Sequence, residues 1–243
     1  MEQTMQARYP NAQRARQRGQ SLPEFLIVVP VFIFLVLLIF QLVLVYRAKT
    51  TLDYATLMAA RAGAVNHAEI KAMEAGLVKG LTPLYATSSG AVGLGEAWAK
   101  TRWDLGMDLD LGLVRNAKIE IISPTRASWN EFKERQYNGK QALPNDNLAF
   151  RDHAIGASGV NVQDANILKI RVMYDYPLIV PFVDLVLRGE SKFVKSSGYF
   201  DPANVKMKSP LVTTGRYYRI PLESYAIVRM QTPIYESELK DLP

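Results

Sequence analysis

Between Phe25 and Tyr46 the chain reads FLIVVPVFIFLVLLIFQLVLVY, an uncharged run whose polarity is interrupted only by Gln41. A helix rises about 1.5 Å per residue, so these residues span roughly 33 Å, enough to cross a hydrocarbon core of about 30 Å once. A secretory signal peptide carries a shorter apolar part, about 7–15 residues, and ends in small residues suited to cleavage. This run ends instead in Tyr46, Arg47 and Lys49, which predicts a retained transmembrane helix. Pro30, one turn into it, is expected to kink the helix or to leave a carbonyl unpaired. The next most apolar stretch, LIVPFVDLVL at 178–187, is too short to span and contains Asp184; it predicts a buried or surface-lying helix. Before the span stand Arg8, Arg14, Arg16 and Arg18, and after it Arg47, Lys49 and Arg61. The excess of basic residues before the span favours a cytoplasmic N-terminus and a C-terminal part outside the cytoplasmic membrane.

The remaining composition excludes several classes. With no cysteine and two histidines among 243 residues, a disulfide scaffold or a cysteine-liganded zinc site is ruled out. A hydrophobic content of 49% is too high for a disordered chain. Half of the formal net charge of +6 sits in residues 1–19, so the basic balance does not argue for a nucleic-acid partner. A cluster of Lys192, Lys195, Lys206, Lys208, Arg216 and Arg219 among Tyr199, Tyr217 and Tyr218 could hold phosphates and stack bases, yet no nucleic acid is expected. No nucleophile elbow, phosphate loop or calcium loop is present. His67 and His153 read as satisfied or surface side chains, and Asp104, Asp108 and Asp110 as solvated acids at a helix end. No enzyme activity, cofactor or metal follows.

The residues just ahead of the apolar run are the most informative: Arg18-Gly19-Gln20-Ser21-Leu22-Pro23-Glu24-Phe25. Glu24 stands where the hydrocarbon begins, and an unpaired carboxylate there is costly by a few kcal/mol. One reading is the interfacial end of an ordinary anchor. In the other, the chain is cut after Gly19, and the new amine on Gln20 pairs with Glu24 within one subunit or between neighbours at a helix N-terminus.

A basic leader, a glycine, four residues, a glutamate and an unbroken apolar helix together resemble the processing site of type IV prepilins, with Gln20 where most members carry phenylalanine. RGQSLPEFLIVVPVFIFLVLLIF and the following RAKTTLDYATLMAARAGAV are similar, more narrowly, to the TadE-like minor pseudopilins of the tight-adherence (Flp) pilus system. This resemblance is specific over about residues 18–65. NDNLAFRDHAIGASGVNVQDANILKIRVMYDYPLIVP and IPLESYAIVRMQTP also look like segments of longer TadE-like proteins. The resemblance implies Gly19 and Gln20 as the processing site of a prepilin peptidase, Glu24 as the acid that registers subunits, and Pro30 as the kink in the span. It further implies a non-enzymatic assembly component serving cell adhesion and biofilm formation. Its partners would be other Tad pseudopilins, the major Flp pilin and the inner-membrane assembly platform, besides the lipid bilayer. The rival reading is a single-pass membrane-anchored periplasmic binding or sensor protein outside the fibre.

Three parts are expected: a basic cytoplasmic leader (1–19), a transmembrane helix (20–46) and a periplasmic α+β domain (47–243). In that domain the helix should continue past the membrane, with Leu52, Ala55, Ala59 and Ala62 as an apolar, small-residue stripe, and helical composition persists to about Lys79. The stripe would either meet neighbouring helices or cover the protein's own sheet. Pro83 and Ser88-Ser89-Gly90 are expected to break the helical region. A further helix follows over 91–110, with Trp98, Leu105 and Leu109 at compatible spacing, then a strand at Lys118–Ile121 that stops at Pro124. Residues 125–165 read as a long excursion with a short helix near Trp129–Arg135. Leu168, Ile170, Val172, Tyr174 and Tyr176 alternate with polar positions as a half-buried strand. Gly215–Ile220 and Tyr225–Met230 read as two strands around Pro221. The fold class is therefore α+β: a transmembrane helix extended into a long amphipathic helix packed on a small antiparallel sheet, the pilin-like plan.

Overall fold

The computed structural model describes residues 21–87, 90–106, 116–183, 187 and 219–235. It has the anticipated α+β architecture. Helix α1 (Ser21–Val65) is one unbroken rod of 45 residues, roughly 67 Å long at the helical rise. Its first half projects free. Its second half lies on a body made of α2 (Ile70–Tyr85), α3 (Ala91–Leu105) and an antiparallel sheet of β1 (Ala117–Ser123), β4 (Ile167–Pro177) and β5 (Arg219–Arg229), in the order β1-β4-β5. Between β1 and β4 lie α4 (Arg126–Phe132), the short strands β2 (Glu134–Arg135) and β3 (Gln141–Leu143), a 3₁₀ turn and α5 (Val162–Ala165). β2 and β3 form a second small sheet with β6 (Ile234–Tyr235). Trp129 on α4 is buried, and its indole N–H donates to the Ile234 carbonyl at 2.8 Å, tying the two parts together.

The helical region departs from the sequence expectation at Asn66–Glu69. Helical structure extends past Lys79, but in two helices, because the chain reverses at these residues and α2 folds back along α1. His67 and Ala68 take left-handed backbone angles, with φ of 54° and 65°. Neither is glycine, so this conformation needs outside support. That support comes from the far end of the chain. The His67 N–H donates to Thr232 Oγ1 at 2.9 Å, and the Ala64 carbonyl, left open at the end of α1, accepts from the Gln231 N–H at 3.0 Å and the Thr232 hydroxyl at 3.1 Å. The His67 ring is satisfied as expected, its Nδ1 lying 2.7 Å from the Pro233 carbonyl.

Four further corrections concern boundaries. Pro83 does not break α2 but sits in its last turn. α3 ends at Leu105, where Gly106 caps it in the left-handed region, rather than at residue 110. Its buried stripe is Gly93, Ala97, Thr101 and Leu105, while Trp98 and Trp103 face outward. The short helix α4 lies three residues earlier than expected. Pro221 does not divide two strands: β5 runs through it, pairing Pro221 with Asp175. β5 is an edge strand of its sheet, so proline's missing N–H costs no ladder bond on the open side.

The small-residue stripe of α1 is spent within the molecule. Ala48, Leu52, Ala55, Thr56, Ala59, Ala60 and Ala64 are all buried, facing α2 and the sheet residues Leu168, Ile170 and Val172. Glycines on α2 set how closely the two helices approach. A Cβ on Gly80 would overlap the Ala55 Cα and Cβ, and one on Gly76 would lie 2.9 Å from the Met58 carbonyl oxygen. Gly80→Leu should therefore force the helices apart and cost about 3 kcal/mol or more. In a urea titration followed by tryptophan fluorescence, this variant should unfold well before the parent. Gly95→Leu, whose Cβ meets nothing within 4 Å, should not.

Candidate functional site

The projecting half of α1 has an unusual surface. From Pro23 to Phe40 no side chain is buried, and Phe25, Ile27, Val31, Phe32 and Phe40 are mostly exposed. A helix apolar on every side belongs in a membrane or in a core built from other chains. By length and composition α1 qualifies as a membrane-crossing helix. These residues cover about 27 Å of axis.

Glu24 lies in the first turn of α1, where the unpaired backbone N–H groups and the helix dipole favour a negative charge. Pro23 beside it is tolerated because first-turn N–H groups have no intrahelical partner. The Glu24 side chain is exposed and makes no hydrogen bond or ion pair among the described residues. Pro30 lies within the continuous helix and removes the N–H that would pair with the Leu26 carbonyl. Gly19 and Gln20 lie outside the described residues, so the structure does not bring them to Glu24. The same holds for Asp108, Asp110, Leu109, Ser88, Ser89 and all of the basic and aromatic cluster except Arg219.

The free and the packed halves of α1 meet at Gln41. Its side chain is fully buried, and its Oε1 accepts from the Val180 N–H at 2.9 Å. Its Nε2 is among the buried polar atoms that lack a hydrogen-bond partner. The expected helix does not begin at Leu178: Leu178–Val180 is irregular and Pro181–Val183 a turn, whereas Leu187 is helical and its N–H donates to the Val183 carbonyl at 3.0 Å. Sequence reasoning saw Gln41 only as an interruption of the apolar run, because its partner is 139 residues away.

A second polar cluster departs from the sequence expectation. Asp104 is not a solvated helix-end acid. Its Oδ2 accepts from Tyr85 at 2.5 Å and from Tyr174 at 3.0 Å, and its Oδ1 pairs with Arg219 Nη2 at 2.8 Å. The two phenol oxygens are also within hydrogen-bond distance of each other, so one phenol shares its single proton between the other phenol and Asp104. Near the C-terminus of α3 an isolated acid would oppose the helix dipole; Arg219 neutralises it. Burial first, and the Asp104 charge second, hold both phenols well above the ordinary tyrosine range, so they remain protonated donors. One residue each from α2, α3, β4 and β5 meets here, and the cluster acts as a clasp on the body.

Residues 19–61 match the family model described as TadE-like protein. No curated protein and no solved structure matches the chain. The matched segment coincides with the apolar projection and the first part of the packed stripe. The later segments that resemble TadE-like proteins fall outside it, within β4, β5 and their approaches.

Proposed function

We propose that the chain bearing this TadE-like segment is a non-enzymatic minor pseudopilin of the tight-adherence (Flp) pilus, stored in the bacterial inner membrane and packed through α1 among other subunits. The observation that carries the reading is the bare apolar half of α1, exposed on all sides and continuous with a rigid body. Such a rod can sit in lipid and then exchange lipid for the helices of its neighbours, because both surroundings are apolar. The body's own small-residue stripe is occupied by α2, so packing between subunits falls to residues 23–40 and Glu24.

In this account the leader lies in the cytoplasm and the body in the periplasm. A prepilin peptidase cuts between Gly19 and Gln20, and Glu24 meets a neighbour's new amine to set the vertical register. Pro30 leaves one carbonyl open, making the span locally easier to bend as it moves from bilayer to fibre. The other Tad pseudopilins, the major Flp pilin and the inner-membrane platform are its partners. Deleting the chain from a piliated host should abolish or sharply reduce sheared surface fibres, and restoring it should return them. Undiminished fibres in the deletion strain would support a tether or sensor outside the assembly.

A further inference from the structure

We infer that the turn Leu178–Val183 is inserted in the outer leaflet beside α1, so that the body is held to lipid at a second point and at a fixed depth. The inference rests on the reading of α1 as a membrane span. Glu24 marks one edge of the hydrocarbon, and Gln41 lies seventeen residues further on, about 26 Å along the axis. A hydrocarbon core of about 30 Å therefore still surrounds Gln41, a few ångströms below its outer edge. Val180 is hydrogen-bonded to Gln41 and must lie at the same depth.

The chemistry of the turn suits that depth. Leu178 and Val183 are buried and root it in the body, while Ile179 and Phe182 are 56% and 70% exposed. Backbone groups in hydrocarbon need partners inside the protein. Within the turn the Val180 N–H has Gln41, and Pro181 has no N–H to satisfy. Phe182 is held at φ 68°, a conformation that costs a bulky residue of order 1 kcal/mol; in water this cost would only expose an apolar ring. On α1, Leu42, Val43 and Tyr46 are exposed too. Tyr46, about 7 Å above Gln41 along the axis, reaches the interface where such rings collect. Together they make an apolar collar continuous with the span.

The absence of cysteine allows single nitroxide labels on the full chain in phosphatidylcholine vesicles. Labels would be placed at Phe182→Cys, at Phe32→Cys in the span, and at Tyr137→Cys on the body, where the side chain is 99% exposed. Accessibility is compared between oxygen, which concentrates in lipid, and a water-soluble nickel chelate. The expected result is a label at 182 that favours oxygen severalfold over the one at 137, at a depth shallower than 32. A label at 182 as open to nickel as 137, while 32 is in lipid, overturns the inference and leaves the span reading intact. A label at 182 shielded from both reagents points to a protein partner and also overturns it. If 32 itself is open to nickel, the span reading fails, and the inference with it.

Discussion

Asp104→Ala should lower the stability of the body by about 3 kcal/mol, because removing one partner of a part-buried ion pair strands the other. Arg219 Nη2 would lose its carboxylate, and the Tyr85 and Tyr174 hydroxyls would lose their common acceptor. A folded body of this size loses roughly 2–4 °C of melting temperature per kcal/mol, so a fall of about 6–12 °C is expected. The fluorescence of Trp129, buried beneath β6, reports the transition in detergent-solubilised full-length protein. Asp104→Asn keeps one acceptor oxygen and should lose less. A melt of Asp104→Ala unchanged within 2 °C would show that the cluster does not clasp the body.

Glu24→Ala should leave the protein at normal levels in the membrane and reduce sheared fibres at least about tenfold, the effect of losing roughly 1.4 kcal/mol from each registering contact. Glu24 has no hydrogen bond or ion pair among the described residues and stands at the favourable end of α1, so its removal should not unfold the body. In the proposed assembly, the same carboxylate among apolar helices would need a cation, and a neighbour's amine would supply one. Glu24→Gln preserves size and polarity but not charge; it should fail as Glu24→Ala does. Normal fibres from both variants would assign Glu24 to the membrane boundary alone.

What the sequence shows and what it hides follow from the range of the forces involved. The apolar projection is legible because its uncharged residues are consecutive. The first half of β4 is legible because its alternation records one face turned to the core; from Val172 to Tyr176 every residue is buried, Met173 and Asp175 included, so the expected half-buried pattern fails there. The reversal at Asn66–Glu69 is not, since Asn, His, Ala and Glu carry no strong helix-breaking signal and the reversal is held by Thr232 and Pro233. Pro221 reads as a strand breaker until the sheet order places it on an edge. Asp104 reads as solvated because its partners come from positions 85, 174 and 219, which only the tertiary fold assembles. For the candidate site, the apolar projection and Glu24 can be read directly, whereas Gly19 and Gln20 acquire a role only through family resemblance.

Weighing the chain purified from cells that carry pili decides whether it is a processed pilus subunit. The expected mass is that of a protein lacking residues 1–19 and beginning at Gln20, recovered in the sheared fibres or at the membrane from which they grow. A chain that retains its leader intact in such cells would contradict that reading.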